Sequence, residues 1–143
     1  MSYLETPTRH ITVNNQKIAY RELGEGNSDI PLVMLVHLAA TMDDWDPKLL
    51  DLLAEHQHVI VVDLPGVGSS EGSVATTIPG MAHQAAEIIQ ALGYQKVNLL
   101  GLSMGGMIAQ EVVRAYPALV NRLVLVGTGP RGGAGIDAVT GTT

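Results

Sequence analysis

Lys96 to Val113 reads KVNLLGLSMGGMIAQEVV, and this stretch decides the fold. KVNLLGL is a short apolar run of the kind that forms a strand covered on both faces. Met104, Ile108, Val112 and Ala115 then recur at helical spacing, and the helix must stop at Tyr116-Pro117, because a residue before proline avoids helical geometry. Between strand and helix stands GLSMG, with no room for a spacer. Ser103 is therefore carried on a sharp strand-to-helix turn.

Three further runs have the same character: PLVMLVHL (Pro31 to Leu38), HVIVVDL (His58 to Leu64) and NRLVLVG (Asn121 to Gly127). Helix signals lie between them. Asp46-Pro47 is an N-cap with proline in the first turn, opening a helix to about Glu55. Thr77 with Pro79 opens another, carried by Met81, Ala85, Ile88, Ile89 and Leu92 and ended by Gly93. Strands alternating with helices predict an α/β class with a mostly parallel sheet. At the N-terminus, Thr8 to Val13 and Lys17 to Glu22 flank Asn14-Asn15, a dipeptide that tolerates positive φ, so an antiparallel hairpin is expected. Gly24 to Asp29 and the residues after Gly127 read as loop. Neither a repeat nor a domain boundary is visible, and residues 1–143 read as one domain.

Composition narrows the activity. Of 143 residues, 46% are hydrophobic and 15% charged, which favours a packed core over disorder. With no cysteine, disulfide frameworks, zinc ribbons and cysteine nucleophiles are excluded. A net charge of −6 and scattered Lys and Arg argue against nucleic acid and anionic membranes as partners. No apolar stretch is long enough to span a bilayer, and MSYLETPTRH lacks the layout of a signal peptide, so a cytoplasmic location is expected.

GLSMG fits G-x-S-x-G, whose serine is pushed out above the sheet edge as a nucleophile. Gly101 and Gly105 are small because strand and helix backbones nearly touch there. The Met104 N–H and the positive end of the helix dipole can stabilise an oxyanion forming beside Ser103. The competing role for Ser103 is an ordinary helix N-cap.

At these residues the chain resembles the α/β-hydrolase fold family, from about residue 8 to residue 130. The order of hairpin, third strand (PLVMLV), fourth strand (VIVVD), fifth strand (KVNLL) and serine elbow is similar, and DLPGVGSS (Asp63 to Ser70) fits the family's D-x-x-G-x-G-x-S segment. The resemblance implies a hydrolase of esters or related small acyl compounds, working through an acyl-enzyme on Ser103 and needing no cofactor or metal. It also implies a second oxyanion donor after the third strand. Trp45 lies nine residues after Val36, and that register makes Leu38 the donor; aligning His37 with the family histidine makes it Ala39. Either way the usual glycine is replaced.

A family member places its acid and then its histidine after the serine. His10, His37, His56, His58 and His83 all precede Ser103, and the acids that follow it are Glu111, on the elbow helix, and Asp137. Six strands are readable against the family's eight. The expectation is therefore an incomplete α/β-hydrolase fold, reaching the loop after strand six, whose sixth strand is an exposed apolar edge open to self-association. A non-catalytic, interaction-module role is the alternative. His37 as base would stand on the oxyanion side, where its ring competes with substrate.

Other readings fail on context. Gly127, Gly129 and Gly132 spell G-x-G-x-x-G, but Pro130 stands in the turn and no helix pattern follows. The DLPG at Asp63 lacks a companion phosphate-binding lysine motif. His56 and His58 are two apart with no third ligand of suitable spacing, and read as surface residues flanking the fourth strand.

Overall fold

The computed structural model describes residues 2–36 and 40–129. Successive residues of the central strands join two different hydrophobic clusters, which shows how the sheet is built. On β3 (Leu32–Leu35), Val33 and Leu35 face one side while Leu32 and Met34 face the other, and on β4 (Val59–Val62) Ile60 and Val62 oppose Val59 and Val61. All eight are buried, as expected for strands covered on both faces. The first face packs against α2 (Ile78–Ala91) and α3 (Met104–Ala115). The second packs against α1 (Pro47–Ala54), Trp45, Met42 and the N-terminal Tyr3. Helices on both sides of one sheet make a three-layer α/β arrangement.

The hairpin pairs β1 (Arg9–Val13) with β2 (Gln16–Leu23) in antiparallel register, from Arg9 opposite Tyr20 to Val13 opposite Gln16. Asn14 and Asn15 turn it at φ 51° and 65°, the two positive values of a type I′ turn. With β5 (Val97–Leu102) and β6 (Val120–Val126) the order is β1-β2-β4-β3-β5-β6. β2 runs antiparallel to β4, and the remaining pairs are parallel. From β3 the chain goes to β4 on one side, and from β4 it crosses to β5 on the other side of β3. The direction of winding therefore reverses between β3 and β5, and the crevice at the carboxyl ends of such a pair is where open α/β sheets bind ligands.

Helix ends follow the sequence signals. Asp46 accepts from the Lys48 N–H at 3.0 Å, and Thr77 from the Gly80 N–H at 3.0 Å. Gly93 (φ 94°) closes α2. Three short 3-10 helices, Tyr3–Glu5, Met42–Asp44 and Pro117–Leu119, have no sequence signal strong enough to predict them.

One local feature differs from the sequence reading. His58 is buried (8% exposed), whereas His56 is at the surface as expected. The Gly24–Asp29 loop and Tyr94 explain this. Ser28 Oγ accepts from the His58 N–H at 2.9 Å, and the His58 ring stands edge-on to Tyr94, 5.9 Å between centroids. β6 is, among the described residues, the exposed apolar edge that the sequence reading expects: Val124, Leu125 and Val126 are 43–46% exposed. It lies outermost in the sheet.

Candidate active site

The carboxyl ends of the four parallel strands bring together Asp63, Val36, Ser103 and the turn Gly127–Gly129. Pairing of Leu35 with Gly101 and of Val126 with Leu102 puts the ends of β3 and β6 on either side of the serine.

Ser103 has φ 56° and ψ −117°. These are the angles of the first central position of a type II′ turn, which glycine occupies at little cost and an L-residue does not. The turn is held by its own backbone: the Ser103 N–H donates to the Val126 carbonyl at 3.0 Å, and the Gly106 N–H donates to the Ser103 carbonyl at 2.9 Å. Asp46 and Thr77 cap their helices with side-chain oxygens from extended backbone, but Ser103 makes no such bond. Ser103 stands at the N-cap position of α3 without capping it through its side chain. Its hydroxyl is half-buried and has no hydrogen-bond partner among the described residues.

The surrounding glycines answer to separate contacts. A Cβ on Gly101 would lie 2.5 Å from the Gly106 Cα and 2.6 Å from the Gly105 carbonyl carbon, the strand-to-helix approach expected from the sequence. Gly105 has a different neighbour. A Cβ there would lie 2.5 Å from the Val36 carbonyl oxygen and would overlap that of Leu35, so the helix start is pressed onto the end of β3. Gly106 is a third small position, not singled out by the motif, and its missing side chain makes room for Thr128. Gln110 ties the same turn down, its amide donating to the carbonyls of Gly106 at 3.2 Å and Gly129 at 3.0 Å.

Met104 opens α3, so its N–H has no intrahelical acceptor, and among the described residues it has no other. The N–H thus remains available at the positive end of the helix dipole. Leu38, like Ala39 and His37, lies outside the described residues, as do Asp137 and Gly132.

Asp63 is a part of the site that the sequence motif marks but does not explain. It is 2% exposed. One carboxylate oxygen accepts from the Met42 N–H at 2.8 Å and the other from the Ser69 N–H at 3.1 Å. Its carbonyl accepts from Ser70 Oγ at 2.5 Å, and that hydroxyl accepts from the Ala19 N–H at 2.8 Å. Gly68 (φ 52°) passes so close that a Cβ would fall on the Asp63 carboxylate. D-x-x-G-x-G-x-S is, in this chain, a hydrogen-bonded plug at the end of β4.

The described histidines stand away from the serine. His10 is on the outer strand β1. His83 contacts Tyr116, at the far end of α3, and Glu87 at 3.4 Å. A twelve-residue helix spans about 18 Å, which separates that group from Ser103. His58 precedes β4, at the amino ends of the parallel strands, whereas Ser103 is at their carboxyl ends. Its Nε2 lies 3.8 Å from Glu22 Oε1, and burial pushes the Glu22 carboxyl above its ordinary range, with Glu25's charge adding and His58 and Arg9 opposing. Among the described residues, no three His, Asp or Glu side chains cluster as metal ligands, and no helix is long and apolar enough to cross a membrane.

The model of the alpha/beta hydrolase fold family matches residues 31–139. The chain belongs to the α/β-hydrolase fold family. A relative from Acinetobacter baylyi, (E)-2-((N-methylformamido)methylene)succinate hydrolase, is 36% identical over 128 residues, covering 88% of this chain and 47% of its own. The pimeloyl-[acyl-carrier protein] methyl ester esterase of Pectobacterium carotovorum is 34% identical, over 75% of this chain and 39% of its own. Among solved structures, an alpha/beta hydrolase fold protein from Chitinophaga pinensis superposes with a TM-score of 0.88 at 36% identity, covering 91% of this chain and 47% of that one. The chain thus spans less than half the length of these α/β-hydrolase relatives, and the six-stranded sheet is a partial form of their fold.

Proposed function

We propose that Ser103 is the nucleophile of a serine hydrolase acting on an ester or related small acyl compound. The observation that carries this reading is the backbone of Ser103: a non-glycine residue in a glycine conformation, at a switch point of the sheet, with a hydroxyl that has no partner among the described residues. Strain of this kind persists where the surrounding structure enforces it, and it concentrates at functional sites. Ser103 Oγ attacks the acyl carbon as a base takes its proton, the carbonyl oxygen becomes an oxyanion, and the alcohol leaves to give an acyl-serine that water hydrolyses. The Met104 N–H and a second N–H, from Leu38 or in the alternative register Ala39, stabilise the oxyanion.

The general base and its acid belong, in this reading, to the portion of the relatives that these residues do not span. No histidine follows Ser103, and the described ones stand away from it. A fluorophosphonate probe tests the proposal. Labelling that Ser103→Ala abolishes supports an activated serine, either in this chain alone or after the remaining portion of a relative is added as a separate polypeptide. No labelling under both conditions refutes it.

One observation favours a second reading, a non-catalytic interaction module: β6 leaves Val124, Leu125 and Val126 exposed along an edge. That reading predicts association without labelling.

A further inference from the structure

β6 is the outermost strand, yet its last residue supplies a bond on which the serine turn depends: the Val126 carbonyl accepts from the Ser103 N–H at 3.0 Å. The end of an edge strand is prone to fray, since only one neighbour holds it. Here the chain beyond Val126 is folded back over α3. Gly127 turns it at φ 57°, and Thr128 enters the space left by the missing side chain of Gly106. The Thr128 hydroxyl is buried with no hydrogen-bond partner among the described residues, so Thr128 fits by shape and not by bonding. The polar tie comes from Gln110, about two turns along α3 from Ser103. Its amide nitrogen donates to the Gly129 carbonyl at 3.0 Å and to the Gly106 carbonyl at 3.2 Å. An amide NH2 group has two hydrogens to donate, and both are used.

We infer that Gln110 is a positioning residue for Ser103: by tying the Gly129 carbonyl to α3, it holds the end of β6 and, through Val126, the backbone that displays the nucleophile. The inference rests on the reading of Ser103 as a nucleophile. A strained φ, ψ pair persists only when its surroundings over-determine it. On one side the carbonyls of Leu35 and Val36 meet Gly105, and on the other the Val126 carbonyl holds the Ser103 N–H. The first restraint comes from β3, inside the sheet; the second comes from its edge and needs an anchor of its own. The same tie gives the glycines after β6 a use other than binding a dinucleotide. Gly127 makes the turn, Thr128 fills the notch at Gly106, and Gly129 presents its carbonyl to Gln110. A nucleophile displaced by a fraction of an ångström loses much of its rate, so an anchor that touches no substrate still bears on the chemistry.

Two substitutions separate the bond from the bulk. Gln110→Leu keeps a side chain of similar size and helix preference but donates nothing. Gln110→Glu sets a carboxyl against two carbonyl oxygens: ionised it repels both, and protonated it donates to one. Glu111 and Arg114, the charged residues beside it on α3, pair with each other. A carboxyl whose neighbours accept only from its neutral form titrates above the ordinary glutamate range, so this variant should recover as pH falls toward about 5. Lost packing would show no such recovery. Two readouts follow in the 143-residue chain. Hydrogen exchange at the Ser103 amide reports the turn without any chemistry; the reference is the Asp63 amide, which donates to the Ala19 carbonyl at 3.0 Å between β4 and β2. Fluorophosphonate labelling of Ser103, alone or with the added portion of a relative, reports the site.

Gln110→Leu should raise exchange at Ser103 about fivefold relative to Asp63 and slow labelling about fivefold, the scale of one neutral hydrogen bond. Gln110→Glu should do at least as much at about pH 8 and approach the parent at about pH 5, each compared with the parent at the same pH. Unchanged exchange at Ser103, or an equal rise at Asp63, overturns the tie between Gln110 and the turn. Faster exchange with parent-like labelling overturns the positioning role, and so does a Gln110→Glu variant indifferent to pH. If the parent chain is not labelled under either condition, the nucleophile reading itself has failed, and exchange alone still decides whether Gln110 holds the Ser103 turn.

Discussion

Replacing Ser103 with glycine should make the protein more stable while removing its proposed nucleophile. The φ of 56° and ψ of −117° put Ser103 where an L-side chain is strained, at about 1–3 kcal/mol. Glycine relieves that strain, and its extra freedom in the unfolded chain returns about 0.5–1 kcal/mol. The hydroxyl has no hydrogen-bond partner among the described residues, so its removal leaves no donor or acceptor stranded. The net gain is about 1 kcal/mol. Ser103→Ala loses the hydroxyl but keeps the strained Cβ, and should match the parent. Urea unfolding followed by the fluorescence of Trp45, the single tryptophan and a buried one, measures the difference. With a slope of about 2 kcal/mol per molar, the Gly variant should have its midpoint roughly 0.5 M above that of Ala. A midpoint for Gly at or below that of Ala would show that the turn imposes no strain, and would remove the main support for a displayed serine.

Three further outcomes follow from the same structure. Gly105→Ala should destabilise by about 3 kcal/mol, because its Cβ meets the carbonyls of Leu35 and Val36, whereas Gly106→Ala meets only the Thr128 side chain and should cost about 1 kcal/mol; equal costs in chemical denaturation would contradict the assigned contacts. Burial raises the Glu22 carboxyl pKa in the folded state, so the stability it contributes is present at acid pH and lost as pH rises from the ordinary glutamate range through the raised value. Glu22→Gln should flatten that decline in denaturation profiles taken across the window, and an unchanged slope counts against it. The exposed β6 edge should drive self-association in sedimentation velocity, and Val124→Lys should reduce it. A stable monomer at all concentrations would refute this.

Much of the fold was legible because its signals are local. Asp46-Pro47, Thr77 and Gly93 mark helix ends through hydrogen bonds or dihedrals that span only a few residues, and the structure has them there. Asn14-Asn15 specified a hairpin turn for the same reason. The burial of His58 was not legible, since it depends on a loop from residues 24–29 and on Tyr94, both distant in sequence.

Ser103 divides along the same line. The sequence by itself determined that a serine stands between an apolar strand and an amphipathic helix with glycines two residues to each side, because strand and helix periods are written in neighbouring residues. Only the tertiary structure decided that Gly105 is small for β3 rather than for its own strand, that Gly106 yields to Thr128, and that Asp63 holds Met42. Those contacts join segments separated by tens of residues, and sheet order alone, β4-β3-β5-β6, brings them to one edge.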